Sequence, residues 1–331
     1  MINRRLLRIK ILQVLFAYFR SNNDSLGNLE KELHLSIEKS YQLYILVLLL
    51  PEALADVALE KIELGKQKFR PTPDELNPNT RFVDNPLIHI LRDNKQLGQK
   101  AKEYKLNWKN YPEVVKILYQ QLISSESYLK FMSDEEFSLE TCRQIVVNFY
   151  LNELENSDDF DAFLEEQSIY WNDDLKFVLS MAAKTIKKVK EENPDALKLM
   201  PLYRNEEDKD FAFQLMAKAV LRHSDNVGLI EEYTQNWEVD RIAAMDMLIM
   251  EMAITEVLEF PSIPVKVSLN EYIEIAKYYS TEQSGLFING VLDKVISTLR
   301  QQKKFEKQGR GLIGEKAESS EDADSLEIET D

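Results

Sequence analysis

Residues 263–295 read IPVKVSLNEYIEIAKYYSTEQSGLFINGVLDKV, and they contain two helical patterns joined by a short polar turn. Pro264 suits the first turn of a helix, which predicts a helix over residues 265–279. Ser280, with Gln283 three residues later, has the form of a capping box that opens a second helix over residues 283–305. The second helix carries a regular apolar stripe, made of Ile288, Val291, Leu292, Val295, Ile296 and Leu299. The stretch therefore predicts two consecutive helices.

Helical patterns also surround this stretch. Residues 208–223, 226–235 and 238–259 are predicted helices, and Pro261 with Pro264 ends the last of them. Near the start of the chain, residues 4–20 predict a helix that is apolar almost all round and therefore buried among others. Its charges lie in the first two turns, so we expect that end of the helix to reach solvent.

The middle of the chain is less sharply patterned. Residues 27–68 predict one long helical stretch, kinked or broken at Pro51 because proline lacks an N–H group and clashes one turn back. Residues 69–86 contain four prolines and predict a loop, and residues 193–208 predict a connection. Further helices are predicted near residues 87–104, 112–131, 134–155 and 172–192. With only 9 Gly and 10 Pro in 331 residues and no useful strand pattern, the fold class is all-α.

The sequence lacks the characteristic motifs of several functional classes of protein. The single cysteine, Cys142, cannot form an internal disulfide, and His34, His89 and His223 lack metal-ligand spacing. No Gly-rich phosphate loop, HExxH or Gly-x-Ser-x-Gly sequence is present, so we expect no catalytic residues, no cofactor and no metal. The acidic doublets Asp158-Asp159 and Asp173-Asp174 most simply cap or start helices.

The apolar stretches of the chain indicate its cellular compartment, because they resemble neither a signal peptide nor a membrane-spanning helix. The N-terminus has no signal-peptide design, because no small-residue cleavage site follows its apolar stretch. The apolar run at residues 43–50 ends at Pro51 and is far shorter than the roughly 20 residues that a membrane-spanning helix needs. We therefore expect a cytoplasmic protein.

Charge is distributed unevenly along the chain. The net charge is −16, which at first argues against nucleic acid, since phosphate contacts dominate such binding. Residues 1–20, here called the basic head, carry five Arg or Lys and no acid, whereas residues 309–331 carry eight acids against Arg310 and Lys316. After Gly309 the composition is typical of a disordered segment.

Several pieces of the sequence, in order, resemble the NusB family. Within residues 263–295 these are Pro264-Val265-Lys266-Val267, Asn270-Glu271, Glu274-Ile275-Ala276-Lys277 and Phe287-Ile288-Asn289-Gly290-Val291-Leu292-Asp293-Lys294. Residues 208–223 and 237–259 resemble two earlier helices of the family, and the basic head resembles its arginine-rich first helix. The resemblance covers roughly residues 1–22 and 206–300.

The resemblance implies a NusB-like double helical bundle with an inserted multi-helix region. The expected parts are a first core helix with an arginine-rich head (1–23), a helical insertion of unknown role (24–205), a C-terminal core (206–305) and a disordered acidic tail (306–331). It also implies an antitermination factor that binds the boxA element of ribosomal RNA leaders together with ribosomal protein NusE. That complex helps RNA polymerase in the elongation complex to read through terminators.

The candidate RNA-binding residues come from the head and from the last two helices. Arg4, Arg5 and Arg8 are spaced so that their guanidinium groups share one region, where they can bind phosphate bidentately or stack on bases. From the residues alone, a solvent-exposed basic terminus is a simpler interpretation than an RNA-binding site. The resemblance to the family favours the RNA-binding site instead. The resemblance also implies that Phe287 and Asn289 contact RNA, although Phe287 can equally be a core residue and Gly290 can serve close helix packing. Further candidates are Gln283, where the family often has an acid, and the possible phosphate contacts Lys266 and Lys294.

Residues 238–259 carry the candidate protein-binding positions. The resemblance places NusE near this helix, where Glu251 and Glu256 could meet a basic ribosomal protein or simply be solvated. The helix also holds Met245, Met247, Met250 and Met252, for which core packing is a simpler reading than partner docking.

An enzyme and a protein-interaction scaffold are the two alternatives to an RNA-binding factor. NusB-like domains also precede catalytic domains in some ribosomal RNA cytosine methyltransferases, but here Cys142 lies upstream of the resembling stretch and about 35 residues follow it. We therefore expect no enzyme. The other alternative is a protein-interaction scaffold with a NusB-like fold and no specific RNA binding. The acidic total favours a scaffold, but a scaffold gives no reason for the three clustered arginines Arg4, Arg5 and Arg8, here called the head arginines, and for the lack of any acid in the basic head.

Overall fold

A computed structural model describes residues 1–21, 25–234, 243–281 and 283–313. Within these ranges the chain is helical, and β pairing is limited to one isolated parallel bridge between Ile2 and Tyr203. The all-α prediction is confirmed. The helices are α1 (Arg4–Arg20), α2 (Leu26–Lys66), α3 (Pro73–Leu76), α4 (Pro86–Asp93), α5 (Lys95–Glu103), α6 (Pro112–Ser124), α7 (Glu126–Ser133), α8 (Leu139–Asn148), α9 (Asp158–Gln167), α10 (Leu175–Lys187), α11 (Glu206–Leu221), α12 (His223–Tyr233), α13 (Ala244–Glu259), α14 (Val265–Tyr279) and α15 (Ser284–Gln301).

The chain divides into two compact units. Unit 1 consists of Met1 and Leu35–Leu202, and unit 2 consists of Ile2–His34 and Tyr203–Asp331. In unit 2 the first helix of the chain therefore belongs with the last five. The start of the predicted disordered tail, Glu306 to Ile313, is part of the described structure.

Helix α2 is one long helix, as predicted, and of the two expected effects of Pro51, a kink or a break, the break does not occur. Proline cannot donate to the carbonyl four residues earlier, which is that of Val47. The buried Tyr150 hydroxyl donates to this Val47 carbonyl at 2.7 Å, so the freed acceptor keeps a partner. A second side chain, the Trp108 indole, donates to the Leu46 carbonyl at 2.9 Å. The Tyr150 contact replaces the helix hydrogen bond that Pro51 cannot make, and the Trp108 contact lies one residue before it.

By length and composition, α2 is the one helix among the described residues that could cross a membrane. However, 61% of its most apolar window is buried inside the protein. The run from Leu43 to Leu50 is almost entirely buried, as predicted. A core helix with this composition satisfies the same length and hydropathy criterion.

Unit 1 contains more helix breaks than its sequence pattern indicates. Residues 87–104 form two helices because Asn94 caps α5, its side chain accepting from the Leu97 N–H at 2.8 Å. Residues 112–131 are divided in the same way at Ser125, which caps α7. Pro86 opens α4 instead of ending the preceding loop. Asp158 begins α9 and Asp174 is the N-cap residue of α10, as expected, but the buried Asp174 carboxylate accepts from the Ser40 hydroxyl at 2.5 Å and makes no side-chain capping hydrogen bond.

Unit 2 is arranged around α13. This helix contacts α1, α11, α12, α14 and α15. Its positions from Leu248 to Val257 are all buried, so Met250 and Met252 are core residues. Residues 235–242, including Trp237 and the start of the predicted helix 238–259, lie outside the described residues.

The predicted capping box at Ser280 is wrong. Helix α15 begins at Ser284, and its N-cap residue Gln283 makes no side-chain capping hydrogen bond. The Ser280 hydroxyl instead donates to Asp246, whose other carboxylate oxygen accepts from the Ser284 hydroxyl at 2.8 Å. A buried carboxylate from α13 therefore replaces the local cap and joins α13 to the start of α15.

Residues 307–313 are tightly fixed to unit 2, so the predicted disorder does not begin at residue 306. The buried Lys307 ammonium donates to the carbonyls of Val257 and Phe260, which are among the last acceptors of α13. Gly311 packs so closely that an added Cβ would lie 2.0 Å from the Pro261 carbonyl oxygen. Residues 314–331, the rest of the predicted disordered tail, lie outside the described residues.

Replacing Gly311 by alanine is expected to lower the free energy of unfolding by about 1–3 kcal/mol, because the new methyl group would overlap a backbone oxygen. The matched control is Gly290→Ala. Gly290 is exposed within α15 and has nothing within 4 Å of an added Cβ, so it mediates no close helix packing. That control is expected to stabilise by about 0.5–1 kcal/mol, since alanine is the better helix former. Chemical denaturation measures both, and equal effects would contradict the tight packing of Gly311.

Candidate functional site

The start of α1, the start of α14 and residues 307–313 enclose an open cavity of about 570 Å³ in unit 2. We call it the arginine cavity. Its walls include Arg4, Arg5, Arg8, Glu271, Arg310 and Ile313. The sequence prediction that the three head arginines share one region is therefore met, because they line the same cavity.

Arg8 also lines this cavity, but its side chain is only 3% exposed. Its guanidinium donates twice to the Glu256 carboxylate, with both N···O distances at 2.7 Å. Burial lowers the pKa of Arg8, but the Glu256 carboxylate outweighs burial, so the pKa is raised above its usual value. The prediction that this end of α1 reaches solvent is wrong for Arg8, and also for Lys10, which is fully buried.

Glu256 is the centre of a buried polar network. It also accepts from the Ser268 hydroxyl at 2.7 Å and from the Tyr272 hydroxyl at 3.0 Å. Both acceptor oxygens therefore have two donors each, and the network joins α1, α13 and α14. A fully buried carboxylate needs such complete pairing, because an unpaired charge in the interior is costly.

Arg4 occupies one side of the cavity and its side chain is 28% exposed. It donates to Asp208 at 2.7 Å and to Glu207 at 2.8 Å, both at the start of α11. Its guanidinium also lies over the Phe211 ring, 4.9 Å from the centroid. Arg4 is thus held in one orientation by two carboxylates and an aromatic face.

Arg5 is the most accessible of the three head arginines, with half of its side chain exposed. It donates twice to Glu271, at 2.8 and 2.7 Å. The hydrogen bond from Arg5 is the main reason that the pKa of Glu271 is lowered. This exposed pair is weak in water, so Arg5 can exchange its carboxylate partner for another anion at little cost.

The cavity offers fixed guanidinium groups, already partly neutralised by carboxylates. Arg310 adds a cation, and its charge lowers the pKa of Glu207 in addition to the larger effect of Arg4. Lys266 is exposed in the first turn of α14, between the cavity residues Pro264 and Val267. That first turn contains no acid, so its N–H groups also favour an anion.

The predicted residues of the last helix do not line the arginine cavity. Gln283 is exposed at the N-cap of α15, and Phe287 is half-buried one turn later. Asn289 is also half-buried and donates to Asp293 at 3.3 Å, while Lys294 is exposed. We call these four positions together the α15 face; they lie on the same unit as the arginines, but at about 3.6 residues per turn Asn289 flanks the apolar stripe on the side opposite the other three.

The proposed protein-binding acids are not on the surface. Glu251 is 2% exposed and Glu256 is fully buried. The expectation that these carboxylates meet a basic partner is therefore corrected: Glu256 pairs with Arg8, and Glu251 lies 2.6 Å from Nδ1 of His223. An acid on a predicted helix does not by itself show whether it has a partner inside the protein.

The pair of Glu251 and His223 predicts a pH dependence of stability. Burial is the main reason that the pKa of Glu251 is raised above its ordinary value of 4.5, although His223 acts to lower it. The folded protein then binds this proton more tightly than the unfolded chain, so stability is expected to fall as the pH rises above 4.5 through the folded pKa. Glu251→Gln should remove that slope. Urea denaturation between about pH 4.5 and 8 tests this, and identical slopes for both proteins would contradict it.

Of the wall residues, the sequence interpretation assigned only the three arginines of α1 to the site and missed the others, among them Glu271, Arg310 and Ile313. No local sequence signal indicates that the chain around Arg310 returns to the start of α1. In the part of the chain that is described, no three His, Cys, Asp or Glu side chains lie close enough to hold a metal ion. Cys142 is buried, and burial raises the pKa of its thiol to about 11.

Comparison with known proteins identifies related sequences. The NusB family matches residues 178–297, beginning upstream of residue 206 and not including the basic head. The chain is 44% identical over 119 residues to the transcription antitermination protein NusB of Salinibacter ruber, covering 36% of this chain and 74% of that protein.

Two further relatives carry the same name. The protein of Chloroherpeton thalassium is 40% identical over 105 residues, covering 32% of this chain and 50% of that protein. The protein of Natranaerobius thermophilus is 40% identical over 91 residues, covering 26% of this chain and 66% of that protein. The chain thus spans between half and three quarters of these relatives' lengths. No solved structure matches it.

Proposed function

This chain belongs to the NusB family, and on that premise we propose that it is a non-catalytic, cytoplasmic RNA-binding factor of transcription antitermination. In this proposal it binds a boxA-type element of ribosomal RNA leaders together with ribosomal protein NusE. The complex then acts on the elongating RNA polymerase. The single observation that carries the proposal is the arginine cavity, where Arg4 and Arg5 are held side by side and remain accessible.

The two groups of residues have different proposed roles. Arg4 and Arg5 contact RNA phosphates, with Lys266 and Arg310 as further cations at the same cavity. Arg8 contributes through Glu256 by fixing the start of α1, since its own side chain is buried. On the α15 face, Phe287 provides a flat surface for an unstacked base, Gln283 and Asn289 provide polar contacts, and Lys294 provides another cation.

The carboxylates around the arginines lower the affinity but do not prevent phosphate binding. Exposed ion pairs contribute about 0–1 kcal/mol, so replacing Glu271 by a phosphate at Arg5 requires little free energy. Keeping each guanidinium oriented before RNA arrives also reduces the entropy lost on binding. We therefore expect modest affinity for the RNA alone and a clear dependence on salt.

Phe287→Leu is expected to weaken binding of a boxA-type RNA about fivefold, because stacking on an aromatic ring contributes about 1 kcal/mol or more for each base. Leucine keeps an apolar side chain for the half-buried position. Leu286→Ala, an adjacent exposed apolar position at 84% exposure, is the control and should change affinity little. Titration of a fluorescent RNA measures both, and equal effects would remove Phe287 from the RNA surface.

Transcription in vitro tests the function itself. Templates carry a boxA-type or a scrambled element ahead of a terminator, and the chain is added with NusE and the elongation complex. The proposal predicts more read-through on the boxA-type template only. Equal read-through on both templates would favour the alternative, a scaffold that binds proteins without specific RNA recognition. The net charge of −16 and the carboxylate partners of all three head arginines are the observations that favour that alternative.

A further inference from the structure

The chain leaves the described structure at the wall of the arginine cavity. Residues 307–313 are held there by the two Lys307 hydrogen bonds and by the Gln308 N–H, which donates to the Pro261 carbonyl at 2.9 Å. Arg310 and Ile313 then line the cavity beside Arg4 and Arg5. Whatever follows Ile313 therefore begins beside these guanidinium groups.

The segment that follows is strongly acidic. Residues 314–331 contain eight acids, Glu315, Glu318, Glu321, Asp322, Asp324, Glu327, Glu329 and Asp331, against one cation, Lys316. The first of these acids is two residues beyond Ile313, and an extended chain covers about 3.3–3.6 Å per residue. The acids of this segment are therefore within reach of the cavity.

The cavity arginines already bind carboxylates. Arg5 pairs with Glu271, and Arg4 pairs with Glu207 and Asp208, at distances of 2.7–2.8 Å. Of these three acids, Glu207 is highly exposed and Glu271 is partly exposed, so both pairs can be exchanged. A carboxylate from the following segment offers the same chemistry as the partner that it replaces or joins.

We propose that the acidic segment 314–331 docks its carboxylates on Arg4, Arg5 and Arg310 in the arginine cavity and competes there with RNA. The docking follows from charge and from the exit point of the chain. The competition rests on the function proposed above. Because the segment is tethered at the cavity wall, its effective concentration is on the order of millimolar or higher, so even a docking Kd of about 1 mM leaves the cavity occupied half of the time or more when no RNA is present.

The tethered segment would restrict which polyanions bind in the arginine cavity. Weak or non-specific polyanions would fail to displace it, whereas an RNA that also uses the α15 face would succeed. With a millimolar docking Kd and an effective concentration about twofold to tenfold above that Kd, the apparent RNA affinity falls about threefold to tenfold at low salt. The effect shrinks as salt screens both interactions.

The first experiment compares full-length variants. In one, four acids near the exit point are neutralised (Glu315→Gln, Glu318→Gln, Glu321→Gln and Asp322→Asn). The control changes net charge equally at exposed positions of unit 1 (Glu165→Gln, Glu166→Gln, Glu191→Gln and Glu192→Gln). We expect the first variant to bind boxA-type RNA about threefold to tenfold more tightly at low salt and the control to match the parent within twofold. Equal affinity for all three proteins would overturn the competition.

The second experiment tests docking without RNA. A fluorescent peptide of residues 314–331 is titrated against the full-length protein that carries the four substitutions near the exit point. The same titration is done with that protein carrying Arg5→Ala in addition. Millimolar binding that Arg5→Ala weakens at least threefold supports docking, even if no RNA binds and the proposed function fails. No peptide binding, or binding that Arg5→Ala leaves unchanged, overturns the docking whatever the RNA does.

Discussion

Replacing Arg8 by alanine is expected to lower the free energy of unfolding by about 3–5 kcal/mol, because the substitution leaves the buried Glu256 carboxylate without its cation. The free energy of unfolding of a small domain is about 5–15 kcal/mol in total, so this loss is a large fraction of the stability. Ser268 and Tyr272 would still donate to Glu256, but neither carries a positive charge. Urea denaturation followed by circular dichroism measures the change.

Two comparisons separate buried charge from loss of side-chain bulk. Arg5→Ala removes a similar side chain from an exposed pair, so it should cost only about 0–1 kcal/mol. Adding Glu256→Gln to Arg8→Ala removes the unpaired charge and should restore part of the stability. An Arg8→Ala protein as stable as Arg5→Ala would contradict the structural role of Arg8. This role also excludes Arg8→Ala from any RNA-binding test that assumes an intact fold.

The arginine head shows where sequence interpretation succeeds and where it stops. Periodicity identifies α1 with the observed bounds and places three arginines on one region, because both features depend only on local spacing. The burial of Arg8 depends on Glu256, 248 residues away along the chain. No local pattern identifies that partner, so a side chain that looks like a solvent-exposed cation is a core residue.

The same distinction applies elsewhere in the chain. Helix α14 has the predicted bounds, since Pro264 and the apolar spacing are local signals. The capping box at Ser280 failed because Asp246, 34 residues earlier, takes the serine hydroxyl. The break that Pro51 would allow in α2 does not occur, because Tyr150 supplies the missing donor to Val47. In each case a distant side chain replaced the local interaction on which the prediction depended.

The double variant Arg4→Gln, Arg5→Gln is expected to weaken binding of a boxA-type RNA about tenfold to a hundredfold. Each arginine is proposed to make a charge-assisted hydrogen bond to phosphate, and such a bond contributes about 1.5–3 kcal/mol before competition from the local carboxylates reduces it. Glutamine keeps a donor for Asp208 and Glu271, so the fold should persist. The slope of log affinity against log salt should fall by about 1.4, because two phosphate contacts on a single strand are lost.

The matched control for that variant is Lys95→Gln with Lys102→Gln. Both lysines are exposed on α5 in unit 1, and the change in net charge is the same. The control should change affinity less than twofold and leave the salt slope unchanged. If both double variants weaken binding equally, then total charge, and not the arginine cavity, determines RNA affinity. A melting curve for each protein checks that the comparison is made on folded chains.

The central claim is that this NusB-family chain recognises a boxA-type RNA and does so more tightly with NusE. Fluorescence anisotropy with a short boxA-type RNA and a scrambled RNA of the same composition, each with and without NusE at two salt concentrations, tests it most directly. We predict tighter binding of the boxA-type RNA, further strengthened by NusE and weakened by salt. Equal binding of the two RNAs in the presence of NusE would contradict the claim and leave a NusB-like fold that functions as a protein scaffold.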